Sequence, residues 1–219
     1  MSSKETNLKE KLRIALNSTA KVIADDLNFN KKNLEEKTKD IISLEIDNLT
    51  NLSDFIRLRA ETDSSALKKK FSDELIYKKN LPSNTSSRSL YNIAEKIRYE
   101  ALGGQMLKGI EKNFHENYTQ IISRKRKDQL KTKEDVPVAE AFELYMLKNF
   151  HKIKLNALAS RMLNFWEKDF ENSIEKHKEF LMNNLEDQNT YSSKLSQILE
   201  EMDILQNDED NKKEEENQS

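Results

Sequence analysis

The sequence predicts a mainly α-helical protein, a bundle of several helices. Only three glycines and two prolines occur in 219 residues, and apolar residues recur at the three- and four-residue spacing of a helix face. Charged residues make up 35% of the chain, against 36% hydrophobic. This balance is polar for a compact domain, and it predicts long solvated helix faces or disordered ends.

The amino-terminal segment predicts one helix, a loop and a short extended stretch. Helical periodicity runs from Leu8 to about Leu27, whereas residues 28–39 are polar and loop-like. Apolar and polar residues then alternate, which indicates a short strand or hairpin near residues 40–47. A further helix is expected to begin near Thr50.

Residues 80–89 are the best candidate for an internal boundary. They combine Pro82 with serine, threonine and asparagine, whose side chains hydrogen-bond the local backbone and compete with regular structure. We therefore divide the chain into an amino-terminal helical part, residues 1–79, a linker or loop, residues 80–89, and a helical bundle, residues 90–206.

The stretch after this boundary carries the clearest helix pattern. One face of it is apolar: Leu90, Ile93, Ala94, Ile97, Ala101 and Leu102. The pattern continues through Leu107 and Ile110, so Gly103 and Gly104 either separate two helices or let a neighbouring helix approach closely. We treat Gly103, Gly104 and Gly109 as a candidate packing or partner-binding site.

Further helices and an acidic tail complete the chain. Asp135 and Pro137 are typical of a helix start, and a last helix carries apolar residues from Tyr191 to Leu205. Residues 207–219 hold six acids and two lysines, a net charge of −4, and no apolar residue follows Leu205. Because such a tail has no apolar surface to bury, we expect it to be disordered.

The charged residues Glu95, Arg98 and Glu100 lie within the apolar helix pattern. Glu95 and Arg98 are three positions apart, a spacing that stabilises a helix by roughly 0.2–0.5 kcal/mol when the pair is solvated. Arg98 also follows Ile97 of the apolar face. The alternatives are therefore a solvated pair, a partly buried network that fixes helix orientation, and a direct contact with a partner.

Familiar catalytic and ligand-binding patterns are missing from the sequence. It has no cysteine, no G-x-x-x-x-G-K-(S/T) phosphate loop, no H-E-x-x-H pair among its three histidines, and no run of about 18 apolar residues. We therefore name no catalytic residue, no cofactor site and no metal site, and we expect a cytoplasmic protein.

A basic run from Ser123 to Lys133 is open to three interpretations. It holds six basic residues in eleven. A solvated helix end is the first interpretation, an acidic protein partner or the chain's own tail is the second, and nucleic acid is the third. The net charge of −2 and the lack of aromatic residues within the run make nucleic acid the weakest of these.

One helical segment follows a pattern that belongs to a known family. The segment SSRSLYNIAEKIRYEALG, ending at Gly103, resembles the pattern AR-x-hydrophobic-(F/Y)-x-A-x-E-x-x-R-x-E-A-(I/L)-G of CobT-type subunits of the aerobic, ATP-dependent cobaltochelatase. The matching positions here and just downstream are Arg88, Glu95, Arg98, Glu100, Ala101, Gly103, Gly109 and Asn113.

An earlier run, LSDFIRLRAETDS, is similar to the A-D-S-x-A-L-R-L-R-x-H-D run of the same family. Asp54, Arg57 or Arg59, and Asp63 are the matching positions, whereas Thr62 stands where a histidine is usual. Later segments, DVPVAEAFELYMLKNF and YSSKLSQILEEMDI, are also similar to the family, so the resemblance extends with gaps over most of the chain.

The resemblance implies a non-catalytic adaptor that works with a CobS-type AAA+ ATPase and a large CobN-type subunit. That complex would use ATP and magnesium to insert cobalt into hydrogenobyrinic acid a,c-diamide during cobalamin biosynthesis. The chain would be the amino-terminal region without the von Willebrand factor A domain, either a fragment or a naturally short homologue. The alternative is a helical scaffold or coiled-coil interaction protein unrelated to chelation, and the residues alone do not say which metal is handled.

Overall fold

The computed structural model describes residues 3–25, 51–124 and 131–202, and it shows a mainly α-helical bundle. Within these ranges there is no strand. The fold class predicted from the sequence is therefore confirmed. The strand or hairpin predicted near residues 40–47 and the acidic tail, residues 207–219, lie outside the described residues.

The helices follow one another along the described parts of the chain. They are α1 (Ser3–Ala24), α2 (Leu52–Phe71), α3 (Glu74–Lys79), α4 (Thr85–Met106), α5 (Lys108–Arg124), α6 (Val138–Phe150), α7 (Ala157–Asn164), α8 (Glu167–Phe170), α9 (Lys176–Asn183) and α10 (Gln188–Glu200). A π-helical turn, Glu171–Glu175, joins α8 to α9.

Polar side chains at the helix starts explain several of these boundaries. The side chain of Asn51 accepts the backbone N–H of Asp54 at the start of α2, and Asn84 does the same for Ser87 at the start of α4. Such caps satisfy one of the backbone donors that the first turn of a helix leaves free, and they stabilise the helix by about 1 kcal/mol.

The loop predicted over residues 80–89 is shorter than expected. Because Asn84 caps α4, the helix begins at Thr85 and absorbs the serine-rich second half of that segment. The helices on either side of the loop also share one hydrophobic core, since Ala66 and Leu67 of α2 belong to the same buried cluster as Leu90 of α4.

The break between α4 and α5 falls at Leu107, which has extended backbone angles (φ −141°, ψ 114°). Gly103 and Gly104 lie inside α4 instead, and no glycine has a positive φ.

Pro137 directly precedes α6, as the sequence predicted, but Asp135 does not cap that helix. Its carboxylate accepts the backbone N–H groups of Lys131 and Thr132, each at 2.8 Å, and so closes the preceding turn.

The core lies where α2, α4, α5 and α6 pack together, and α10 packs against α4. Its largest fully buried aromatic side chains are Tyr91, Tyr118, Tyr145, Tyr191, Phe114, Phe142 and Phe170. Helix α1 packs along α2, where Leu16 and Leu58 form a small second cluster. No helix in the described ranges is long and apolar enough to cross a membrane.

Candidate functional site

Helix α4 carries the charged candidate residues into the core instead of presenting them to solvent. Arg98 is 0% exposed, Glu95 3% and Glu100 1%. Charged side chains are seldom buried unless they are paired and hydrogen-bonded, because removing a charge from water is expensive. The contacts of these three residues therefore decide what the family-matching segment does.

Arg98 and Glu95 form the first buried cluster. The Nε atom of Arg98 lies 3.2 Å from Oε1 of Glu95, and Nη1 donates to the carbonyl oxygen of Leu185 at 2.8 Å. Nη2 donates to the carbonyl oxygen of Phe71 at 2.6 Å and reaches the hydroxyl of Ser72 at 3.3 Å. The planar guanidinium thus ties α4 to the end of α2 and to the connection between α9 and α10.

Helix α10 completes this cluster from the other side of Glu95. Ser192 donates to Oε1 of Glu95 at 2.5 Å, and the amide of Gln188 donates to Oε2 at 3.3 Å. The same Gln188 amide oxygen accepts the backbone N–H of Asp73 at 2.6 Å. The Glu95–Arg98 pair is therefore a buried network that joins three parts of the chain, and the solvated-pair interpretation is wrong.

Glu100 forms a second buried cluster between α2, α4 and α5. Its Oε1 accepts from the hydroxyl of Ser64 at 2.6 Å, and its Oε2 accepts from the hydroxyl of Tyr118 at 2.5 Å. Lys96 stands at the edge of this cluster, with its Nζ 4.0 Å from Oε1 and over the ring of Tyr118. Burial raises the pKa of Glu100, and it raises the pKa of Tyr118 well above its ordinary value.

His151, at the end of α6, faces the same carboxylate. Its Nε2 lies 3.8 Å from Oε2 of Glu100, too far for a hydrogen bond, and this nitrogen has no hydrogen-bond partner. Burial, with a smaller contribution from the neighbouring His115, lowers the pKa of His151 to about 4. The imidazole is therefore neutral at pH 7, and the two groups do not form an ion pair there.

Asp63 and Asn113 add a third buried polar contact beside Glu100. The amide of Asn113 donates to Oδ2 of Asp63 at 2.5 Å, which links α2 to α5. Burial raises the pKa of Asp63, although the hydrogen bond from Asn113 opposes this shift. Both residues occupy positions that match the family, so the two matching segments meet in space.

The remaining candidate residues lie apart from these clusters. Arg88 is exposed at the start of α4, where its Nε donates to the carbonyl oxygen of Pro82 at 2.7 Å. A Cβ atom added to Gly103 would lie 2.3 Å from Cδ1 of Leu67, so this glycine permits close packing of α2 on α4. A Cβ atom added to Gly104 would lie 3.4 Å from Cβ of Glu111, which is ordinary van der Waals contact. A Cβ atom added to Gly109 would meet nothing within 4 Å.

Sequence reasoning missed several members of the clusters. Ser64, Gln188 and Ser192 carry no recognisable signal, since isolated polar residues on helices are usually solvated. Tyr118 lies on the apolar spacing that continues into α5, which indicates burial but not its hydrogen bond to Glu100. His151 belongs to no recognisable motif, yet the structure buries it beside Glu100. Its position after the apolar run of α6 could have indicated burial.

The arrangement is suited to holding helices together. No group of three or more potential metal-ligating side chains occurs in the part of the chain that the structure describes. An open polar groove of about 410 Å³ lies between the end of α3 and α10, lined by residues that include Lys79, Ser193 and Gln197. Its α10 side belongs to the closing segment that is similar to the family, but none of the matching positions on α2, α4 and α5 lines it.

The family model described as cobalamin biosynthesis protein CobT matches residues 6–219, which is nearly the whole chain. No solved structure matches the chain.

Proposed function

We propose, on the premise that the chain belongs to the CobT family of cobalamin biosynthesis proteins, that it is an adaptor subunit of an ATP-dependent cobaltochelatase. In this proposal the chain works in the cytoplasm with a CobS-type AAA+ ATPase and a large CobN-type subunit. Cobalt is the substrate of the assembly, and hydrogenobyrinic acid a,c-diamide is the acceptor. The partners bind ATP and magnesium, and this chain supplies assembly.

The observation that carries the proposal is that the family pattern coincides with the architecture of the domain. The match covers residues 6–219, and the matching residues Asp63, Glu95, Arg98, Glu100 and Asn113 are all buried in contacts between helices. Buried charges with several partners fix how helices are oriented. These residues support a scaffold that positions other subunits.

Association and reconstitution test the proposal. The full 219-residue chain would be mixed with the purified CobS-type ATPase and CobN-type subunit of the same source. We expect the chain to bind the ATPase, and cobalt insertion, followed by the change in the absorbance spectrum of the acceptor, to require all three proteins and ATP. Omitting each protein in turn provides the control.

Three results would contradict the proposal. The first is that the chain binds neither partner at micromolar concentrations. The second is that cobalt insertion proceeds equally fast without the chain. The third is ATP hydrolysis by the chain alone that survives repurification, because the proposal leaves ATP to the partners.

A further inference from the structure

The Nε2 atom of His151 is a hydrogen-bond acceptor that no donor reaches. The other nitrogen of this ring donates to the backbone carbonyl oxygen of Ile97, so Nε2 of the neutral imidazole carries a lone pair and no hydrogen. This lone pair faces Oε2 of Glu100 at 3.8 Å, and only 3% of the His151 side chain and 1% of the Glu100 side chain are exposed. With Glu100 ionised, two acceptors would face each other away from water, which is an unfavourable arrangement.

A proton on Oε2 of Glu100 removes this conflict. The hydroxyls of Ser64 and Tyr118 donate to the two carboxyl oxygens from α2 and α5, and each oxygen has room for a further hydrogen bond. A proton on Oε2 can therefore point at Nε2 of His151, and a shift of about 1 Å brings the two atoms to hydrogen-bond distance. Burial raises the pKa of Glu100 and lowers the pKa of His151 to about 4, so the proton stays on the carboxyl group.

Other titratable groups face this pair from each helix that packs on it. They are Lys96 and Tyr99 on α4, His115 on α5 beside Tyr118, and Glu143 on α6. The ammonium of Lys96 favours an ionised carboxylate, but it lies 4.0 Å away on a side chain that is 45% exposed, so water screens its charge. Glu143 acts in the opposite direction. Burial raises the pKa of Tyr99 to about 12 and that of Tyr118 well above its ordinary value, so neither tyrosine ionises near neutral pH.

His151 also forms the end of α6, in a backbone turn that its contacts hold in place. Its N–H donates to the carbonyl oxygen of Leu147, and its own carbonyl oxygen accepts from Nε2 of His115 on α5 at 2.8 Å. The next residue, Lys152, has a left-handed φ of 53°, which is strained for a residue other than glycine. Losing a contact of His151 therefore favours release of this turn.

We propose that Glu100 holds a proton at neutral pH and donates it to Nε2 of His151, and that this hydrogen bond, the latch, holds the end of α6 on α4 and α5. Loss of the proton in the alkaline range leaves a buried carboxylate against a bare lone pair, and the end of α6 detaches. The sign follows from linkage: a carboxyl group whose pKa is raised by folding contributes stability at low pH, and this stability is lost as the pH rises through the raised pKa. Because the latch lies within one chain, its tests need no partner protein and are independent of the proposed function.

Carboxyl 13C NMR of the full chain, labelled at the glutamate side chains, tests the proton directly. Exposed glutamates titrate near about pH 4.3, so a signal from an un-ionised carboxyl group at pH 7 stands apart from theirs. We expect Glu100 to give such a signal, absent in Glu100→Gln and shifted in His151→Phe, which removes the acceptor and identifies the signal even where Glu100→Gln does not fold. Asp63, whose pKa is also raised by burial, carries no label. Histidine 15N NMR should show a neutral His151 at the same pH.

Hydrogen exchange tests the latch. The amides of His151 and Ile153 both donate to the carbonyl oxygen of Leu147 at the end of α6. Between pH 7 and pH 9 their protection factors in wild type should fall at least about tenfold, which is about 1.4 kcal/mol in the free energy of local opening. In Glu100→Gln they should stay within about twofold, because the glutamine amide can donate to Nε2 at every pH. The matched control is Glu179→Gln, an exposed glutamate on α9, which should behave as wild type.

Three outcomes would count against the latch. A Glu100 signal that titrates together with the exposed glutamates would show an ionised carboxylate at neutral pH and overturn the inference. A protonated His151 at pH 7 would put a charged pair in place of the neutral one, which also overturns it. If Glu100 keeps its proton at pH 7 but protection of His151 and Ile153 is the same at pH 9, or falls equally in Glu100→Gln, the proton does not hold the end of α6.

Discussion

Replacing Arg98 with methionine should destabilise the fold strongly. Methionine has a similar length and no charge, so the substitution removes the guanidinium while filling much of the same space. The carbonyl oxygens of Phe71 and Leu185 lose their donor, and Glu95 keeps only Ser192 and Gln188 as partners. A buried carboxylate is then left without its counter-charge.

The expected magnitude follows from this loss of partners. Removing one member of a buried ion pair costs about 3–5 kcal/mol, because the remaining charge is left uncompensated. For a chain of this size, each kilocalorie lowers the melting temperature by about 2–4 °C. The melting temperature of Arg98→Met should therefore fall by roughly 6–20 °C.

Urea unfolding followed by circular dichroism would measure the change in the free energy of unfolding. Arg161→Met is the matched control, because Arg161 is an exposed arginine on α7, and its effect should stay within about 0.5 kcal/mol. The double variant Glu95→Gln, Arg98→Met removes both charges. It should therefore be less destabilised than the sum of the two single variants by at least about 1 kcal/mol.

The reasoning would be refuted by an Arg98→Met protein that unfolds within about 1 kcal/mol of wild type. Strict additivity in the double variant would also count against it, since independent sites add whereas members of one network do not. Either result would mean that the cluster does not hold α2, α4 and α10 together.

Three further predictions concern packing, pH and the tail. Gly103→Leu should destabilise the protein by about 1–3 kcal/mol in thermal melts, because the added side chain overlaps Leu67. The control is Gly109→Leu, which has open space and should be neutral or slightly stabilising, since leucine is the better helix former. Because the pKa of His151 falls on folding from 6.5 to about 4, its contribution to stability is present above pH 6.5 and is lost as the pH falls to about 4. Wild type should lose on the order of 3 kcal/mol more than His151→Phe between pH 7 and pH 4 in urea titrations, and equal losses would contradict this assignment. Truncation after Leu205 should leave the melting temperature unchanged to within about 2 °C, and a broadened, less cooperative transition would show that the tail packs on the body.

The sequence alone predicted the helical class and several helix boundaries. Helical periodicity involves residues only a few positions apart, and so does the proline that precedes α6, so both can be read from the sequence. The cap that Asn84 provides for α4 is equally local, but the sequence analysis missed it. The family resemblance was likewise readable because it rests on a contiguous segment, residues 86–103, and the match over residues 6–219 agrees with it. The loop at residues 80–89 was drawn too long because the same serines that favour loops also favour the first turn of a helix.

Only the tertiary structure decided which charged residues are buried and what they contact. Periodicity placed Arg98 beside the apolar face of α4, but its burial depends on Phe71 and Leu185, which lie 27 and 87 residues away. Glu100 and His151 meet for the same reason, through the packing of α6 on α4. Gly103 is the clearest example of what the sequence leaves open. The glycine pair is compatible with a helix break or with close packing of a neighbouring helix, and the position of Leu67 on α2 shows that it is close packing. Local sequence determines which residues can face a neighbour, whereas the neighbour itself, and therefore the energy of the contact, is set by the fold of the whole chain.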